Sequence, residues 1–223
     1  MTADGDPDPI APGGPGASGV PGVPGVPGGS AGPAGSGGPA GPGDPDGPVA
    51  RFLRSRGAAA MDHPGGTLLD HLGRVAEVLG RWGAARDVRL AGLCHAAYGT
   101  DGFGPHLMET AERGTLAGLI GERAEAIVYL YGSSVRDVLY PQIGGPGPVT
   151  FRDRFTGAVH EPAEADLRAL MEITAANELD VLAHNADLAA RHGAALYGFF
   201  ARGGELLSPG ARAACERQLA PYA

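Results

Sequence analysis

Glycine and proline are concentrated at the start of the chain, and this restricts a folded domain to the residues after that segment. The first 49 of the 223 residues contain 16 of the 39 glycines and 12 of the 20 prolines, with five aspartates and no aromatic residue. Such a segment buries too little apolar surface to offset the conformational entropy lost on folding. We therefore expect residues 1–48 to form a disordered Gly/Pro-rich tail. Residues 49–223 then suffice for one domain with a single core.

The charge pattern argues against a nucleic-acid partner. All 17 basic residues are arginine, and outside the tail they face 20 acidic residues (25 in the chain less the five aspartates), which leaves no basic field. No run of 18 apolar residues predicts a membrane span, and the N-terminus lacks the basic and apolar regions of a secretory signal. Two cysteines cannot build a disulfide framework, so we expect a reduced, cytoplasmic protein.

Apolar residues recur at helical spacing through most of the domain. Thr67 resembles an N-cap with Asp70 three residues later, and the apolar positions after them predict a helix over residues 67–82. Residues 149–161 instead alternate around Thr156 and Gly157, as in a small hairpin or a lid. We therefore predict an all-α helical bundle with one small irregular or hairpin insertion. The other predicted helices cover residues 49–60, 85–97, 113–119, 122–131, 163–183, 186–201 and 208–219.

The segment DHLGRVAEVLGRWGAARDVRLAGLCHAAYGT, residues 70–100, resembles the HD-domain superfamily of metal-dependent phosphohydrolases. The closest likeness is to the guanosine tetra- and pentaphosphate hydrolases, in which a helix bearing a histidine precedes an apolar helix that ends in His-Asp. The resemblance implies an HD-like fold with His71 and His95 as metal ligands, and His63 at the position of a base-stacking arginine. The chain is also similar to an uncharacterised HD-like family that lacks the acid of the His-Asp pair.

Two acids of the usual site are missing. Ala96 stands where the family has the aspartate of His-Asp, and Asn177 stands where it has its last metal-binding aspartate, unless Glu178 or Asp180 serves instead. Removing carboxylates disfavours Mg²⁺ and leaves donors that suit Zn²⁺, Fe²⁺ or Mn²⁺. We therefore predict a metal site of His63, His71 and His95, completed by water and one of the three residues on the later helix. Each histidine could instead be a hydrogen-bonded core residue.

Further residues are candidates for catalysis and substrate binding. Tyr98 lies about one helical turn after His95 and could direct its hydroxyl into the same cavity, and Glu178 is a second candidate catalytic residue. Arg152 and Arg154 in the insertion could clamp an anionic substrate, because a guanidinium matches phosphate and carboxylate in a bidentate way. The alternatives are a core or rim tyrosine and a solvated strand face.

Two functions from different classes remain. The first is a divergent HD-fold metalloenzyme acting on a small anionic substrate, either a phosphoester hydrolase or a metal-dependent oxygenase. The second is a catalytically degenerate HD-like domain that binds a nucleotide, a small ligand or a partner protein, with a purely structural bundle as its simplest form. A third histidine, His63, favours the metalloenzyme, because a domain without a metal has no reason to place it there.

Overall fold

The structure, a computed structural model, describes residues 47–102 and 105–223. The tail expected at residues 1–48 therefore lies outside the described residues, except for its last two. The expected all-α class is confirmed, since the described part is built mainly from helices with two very short hairpins. Its α-helices are α1 (Pro48–Ser55), α2 (Leu68–Arg81), α3 (Arg86–Leu93), α4 (Arg113–Ile120), α5 (Glu122–Ser133), α6 (Arg136–Leu139), α7 (Glu164–Ala183), α8 (Ala186–Arg202) and α9 (Pro209–Leu219).

The start of α2 has the local chemistry that the sequence predicts. The hydroxyl of Thr67 accepts a hydrogen bond from the backbone N–H of Asp70, and the Asp70 carboxylate accepts one from the backbone N–H of Thr67. This reciprocal capping box satisfies two N–H groups that a helix start leaves without partners. Leu72, Val75 and Leu79 are then fully buried along one face of α2.

Two predicted helices end earlier than expected. In the first, α1 stops at Ser55, and Gly57 with φ +92° leads into a 3₁₀ turn over Ala58–Ala60. The helix predicted over residues 85–97 ends at Leu93, and turns closed by hydrogen bonds between residues i and i+3 come after it. The imidazole of His95 donates to the carbonyl of Gly92. In a continuing helix, the N–H of residue 96 would donate to that same carbonyl. His95 therefore lies just beyond α3 and not within it.

Each of the two hairpins contains a residue that was predicted from the sequence to belong to the site. Strands β1 (Asp62–His63) and β2 (Gly66–Thr67) form an antiparallel pair directly before α2. Strands β3 (Phe151–Arg152) and β4 (Val159–His160) form the expected hairpin in the insertion.

Helix α7 is the centre of the bundle. Twelve of its 20 residues are buried, which is more than the single apolar stripe of a surface helix. It packs against α2, α3, α5, α8 and α9. Gly92 of α3 faces Leu79 of α2, where a Cβ would overlap the leucine side chain, so the glycine lets the two helices approach closely. Across the described ranges, no helix is both long enough and apolar enough to cross a bilayer.

Candidate functional site

His71 lies fully buried where α2 meets α7. Its Nδ1 donates to Oδ2 of Asp180 over 2.7 Å, and its Nε2 lies 3.0 Å from Oδ1 of Asn177. Asn177 and Asp180 are three positions apart on α7 and so share one face of that helix. The packing of α2 on α7 therefore places the imidazole between two polar side chains, one of which is Asn177, as predicted.

His95 approaches the same point from the end of α3. It is 3% exposed, and its Nδ1 donates to the carbonyl of Gly92 over 2.8 Å. The rings of His71 and His95 meet edge to face, with 5.3 Å between their centroids. Tyr131 of α5 contacts His95 in the same way, with 5.2 Å between centroids. Helices α2 and α5 and the turn that follows α3 thus each bring an aromatic or imidazole ring to the cluster.

His63 reaches the cluster from the β1–β2 hairpin. Its ring stacks on that of His71, with centroids 4.0 Å apart and planes inclined by 25°. The turn of the hairpin is held by Arg74, which donates to the carbonyls of Pro64 and Gly65. The loop therefore folds His63 back over His71. We refer to His63, His71 and His95 together as the histidine cluster.

Asp180 is the charged anchor of the cluster. Its carboxylate is 5% exposed and receives the Nδ1–H of His71 together with a bidentate pair from Arg74, at 2.7 and 2.9 Å. Burial opposes its ionisation, but the hydrogen bonds from His71 and Arg74 outweigh burial and lower its pKa to about 2. An ionised Asp180 fixes His71 with the proton on Nδ1.

The rings of His95 and His63 are neutral at pH 7. Burial, with the charge of His71 acting in the same direction, lowers the pKa of His95 to about 3 and that of His63 to about 4. A neutral imidazole carries one lone pair, and the proton that His95 gives to Gly92 leaves that pair on Nε2. Neutral imidazoles are the form that binds metals.

A second acid and a buried arginine adjoin the cluster. Glu178 accepts a hydrogen bond from the amide of Asn177 over 3.1 Å, and its carboxylate lies 3.6 Å from Nη1 of Arg136. Nη2 of Arg136 donates to the hydroxyl of Tyr131 over 3.1 Å. Glu178 therefore lies beside the cluster, as expected of a candidate catalytic residue, while Arg136 was not predicted.

Tyr98 lies elsewhere, which corrects the expectation that it shares the cavity of His95. Its hydroxyl donates to Oε1 of Glu125 over 2.9 Å, and Glu125 also binds Arg113 in a bidentate way. Burial and the neighbouring Glu125 raise the pKa of Tyr98. The cause is the early end of α3, because without a continuing helix residue 98 no longer shares a face with His95. Tyr98 is therefore part of a packing network.

The two arginines of the insertion do not form a clamp on the cluster. Arg154 is held by backbone carbonyls, with its Nε on Gly132 over 2.6 Å and its Nη2 on Tyr98 over 3.3 Å. Arg152 is exposed on the outer side of β3. In the described ranges, neither shares a hydrogen bond or ion pair with the histidine cluster. The structure therefore does not place either arginine beside the histidine cluster, and their role in binding a substrate stays a prediction.

The structure also bears on metal binding. Within residues 47–102 and 105–223, no three His, Cys, Asp or Glu side chains converge as a ready-made metal site. His71 and His95 approach each other, but the oxygen facing His71 belongs to an amide, and His63 contacts His71 through its ring face. The pair of donors in direct contact is the His71 imidazole and the Asn177 amide oxygen, and the ring of His95 lies 5.3 Å from that of His71 between centroids.

Helical spacing points to two residues of the site that the resemblance alone does not single out. Arg74 lies three residues after His71 and Asp180 lies three after Asn177, so each shares a helical face with a predicted site residue. Arg136 has no such signal, because it lies in the four-residue helix α6, which is too short for a hydrophobic period.

A comparison with known families matches one part of the chain. Residues 52–136 match a family described as Domain of unknown function (DUF6817). The match spans less than half of the chain and runs from α1 to the first residue of α6, so it includes the histidine cluster, Arg74 and Arg136 but not α7. No curated protein and no solved structure matches the chain.

Proposed function

We propose that His71, His95 and Asn177 bind a divalent transition metal ion, and that the protein is an HD-like enzyme acting on a small anionic substrate. The observation that supports this is the orientation of two buried imidazoles. His71 and His95 both direct Nδ1 to a fixed oxygen acceptor, Asp180 and the Gly92 carbonyl respectively. Metal-binding histidines in proteins are commonly held in this way, with the other ring nitrogen left for the ion.

The donor set suits Zn²⁺, Fe²⁺ or Mn²⁺ better than Mg²⁺. Imidazole nitrogen with one amide oxygen is a softer and less charged set than the carboxylates that Mg²⁺ requires. Asn177 contributes the oxygen, and its amide also contacts Glu178. His63 adds a third neutral imidazole stacked on His71, and it remains a further candidate ligand. Such an ion, when bound, lowers the pKa of a coordinated water toward 7.

The side chains around the donors have separate roles. Asp180 and Arg74 hold His71 in one tautomer and one orientation. The hairpin covers the cluster from one side and limits its access to water. The carboxylate of Glu178, beside Asn177, is the group to which we assign proton transfer. Hydrolysis of a phosphoester is the reaction that the HD resemblance implies, and metal-dependent oxygenation is the second reaction class to test. Both described cysteines, Cys94 and Cys215, are free and buried, which suits the cytoplasmic location we propose.

Elemental analysis of the untagged protein tests the metal. We expect close to one Zn, Fe or Mn per chain in the parent protein, after purification or after incubation with each ion. His71→Gln and His95→Gln should lose the metal while retaining the helical circular dichroism of the parent. The matched control is His106→Ala, because His106 is exposed and pairs with Glu109. A folded parent that takes up none of the three ions would refute the metal site.

Activity is tested on the loaded protein. A chromogenic phosphodiester and phosphomonoester test hydrolysis, and oxygen uptake with Fe²⁺ tests the oxygenase. Glu178→Gln should reduce turnover by about 10²-fold or more if its carboxylate transfers the proton, with its metal content unchanged. Equal turnover of Glu178→Gln and the parent would remove Glu178 from the mechanism.

The alternative function is a non-catalytic HD-like domain that binds a small ligand, a nucleotide or a partner protein. It is favoured by the observation that no three His, Cys, Asp or Glu side chains converge in the described ranges, and that Asn177 already contacts His71. A parent protein that stays free of metal but binds a nucleotide in calorimetry would establish it.

A further inference from the structure

Arg136 is a largely buried cation beside the histidine cluster whose hydrogen-bonding capacity is mostly unused. Its side chain is 17% exposed. A guanidinium has five N–H donors. In the part of the chain that the structure describes, the only hydrogen bond from the Arg136 guanidinium goes to the hydroxyl of Tyr131, at 3.1 Å. Its pairing with Glu178 is long, with 3.6 Å between Nη1 and Oε1.

Three other arginines in the described part of the chain make at least two hydrogen bonds each through their guanidinium groups. Arg74 binds Asp180 in a bidentate way and also holds two backbone carbonyls. Arg113 binds Glu125 in a bidentate way, and Arg154 donates to two carbonyls. Burying a charge is costly unless it is paired and hydrogen-bonded. Among these four arginines, Arg136 has the fewest hydrogen bonds from its guanidinium.

The surroundings of Arg136 connect it to the histidine cluster. Tyr131, which receives its hydrogen bond, also packs edge to face on His95. Glu178, whose carboxylate lies 3.6 Å from Arg136, accepts a hydrogen bond from Asn177. Asn177 in turn contacts His71. Burial is the main cause of the low pKa of His95, and the positive charge of Arg136 acts in the same direction. The guanidinium is thus close enough to influence the cluster electrostatically.

The position of Arg136 is fixed from its backbone. Its N–H donates to Oδ2 of Asp101 over 2.8 Å, and its guanidinium carbon lies 5.7 and 5.9 Å from the ring centroids of Tyr131 and Tyr140. These contacts hold the guanidinium in place without using its remaining donors. A fixed, planar set of free N–H groups matches the two oxygens of a carboxylate or a phosphate.

We propose that Arg136 binds the oxyanion of the small molecule recognised at the histidine cluster, a phosphate or carboxylate group, with Tyr131 positioning the guanidinium. This assignment rests on the proposed function and specifies the substrate group that the site accepts. It transfers the anion-binding role from the insertion arginines Arg152 and Arg154 to α6. A bound oxyanion would share the guanidinium with Glu178, whose carboxylate lies 3.6 Å from Nη1.

Isothermal titration calorimetry of the untagged full chain with inorganic phosphate, and separately with acetate, tests the proposal. We expect the parent to bind at least one of the two, and Arg136→Gln to bind it about tenfold more weakly or worse, since a charged hydrogen bond contributes about that factor or more. Arg217→Gln, at an exposed arginine of α9, is the matched control and should bind within about twofold of the parent. Arg136→Lys keeps the charge but loses the bidentate geometry, and it should also weaken binding about tenfold.

Metal content measured on the same samples separates this proposal from the proposed function. Arg136→Gln should keep the metal of the parent and lose the anion. A parent without metal whose phosphate or acetate binding still depends on Arg136 would remove the metalloenzyme and retain the oxyanion site. A parent that binds neither anion would overturn the assignment of Arg136. Anion binding by both Arg136 variants at parental affinity would overturn it as well. Preference for phosphate or for acetate identifies which oxyanion the site takes.

Discussion

Replacement of Asp180 by asparagine tests whether one carboxylate organises the histidine cluster. The side chain is 5% exposed and accepts three hydrogen bonds from ionisable groups, one from His71 and two from Arg74. Removing one partner of a buried ion pair costs about 3–5 kcal/mol. Arg74 is 26% exposed and can recover part of its hydration. We therefore expect Asp180→Asn to lower the free energy of unfolding by about 3 kcal/mol, the lower end of that range.

The pKa of Asp180 gives an independent magnitude. A pKa lowered from 3.8 to about 2 corresponds to about 2 kcal/mol of stability. That contribution is fully present above about pH 4 and is lost as the pH falls through about 2, because the carboxylate must then bind a proton in both states. The two values agree to within about 1 kcal/mol. Both predict that Asp180→Asn lowers the free energy of unfolding at neutral pH.

Urea unfolding at pH 7, followed by far-ultraviolet circular dichroism, measures the loss. Asp62→Asn is the matched control, because Asp62 is exposed on β1 close to the same hairpin and should change stability by less than about 0.5 kcal/mol. In addition, the Nδ1 proton of His71 should give a downfield imidazole resonance in the parent that is absent from Asp180→Asn. A loss of stability no larger than that of Asp62→Asn would refute the reasoning.

Two further predictions concern acid stability and a turn. Burial lowers the pKa of His95 to about 3 in the folded protein. Near pH 6.5 the unfolded chain therefore binds a proton at this residue while the folded protein does not, so stability is lost as the pH falls below 6.5. Urea unfolding between pH 7 and pH 4 should show that the free energy of unfolding of His95→Gln depends less steeply on pH than that of the parent, by about 1 kcal/mol per pH unit. Parallel pH dependences in the two proteins would contradict this. Gly144 has φ +75°, and a Cβ there would overlap the backbone carbonyl of Arg202, so Gly144→Ala should lower the unfolding free energy by about 2 kcal/mol or more. Gly147→Ala, where a Cβ meets nothing within 4 Å, should leave it within about 0.5 kcal/mol, and equal values for the two variants would show that the turn tolerates a side chain.

The parts of the fold that depend on local chemistry could be predicted from the sequence. The capping box of Thr67 and Asp70 sets the start of α2, and its apolar spacing sets the buried face on which His71 lies. The joint placement of His71, His95 and Asn177 was expected from a resemblance, and the structure does bring these three residues together.

The remaining features depend on tertiary contacts that a linear pattern does not carry. The position of Tyr98 differs from the expected one because the imidazole of His95 takes the Gly92 carbonyl and ends α3. The choice of Asp180 as the partner of His71 depends on how α2 packs on α7, and the sequence left it as one of three alternatives. Arg136 lies in a four-residue helix without periodicity, so only its surroundings identify it.

The dependence of the cluster on α7 has a consequence for synthesis of the protein. His71 and Asp180 are 109 residues apart in the chain. At a translation rate of about 5–20 residues per second, the histidines are made roughly 5–20 s before the carboxylate that orients them. During that interval the emerging segment, which covers the matched family region, has imidazoles but no anchor for them. Docking of α7 is therefore the step that brings Asp180 and Asn177 to His71.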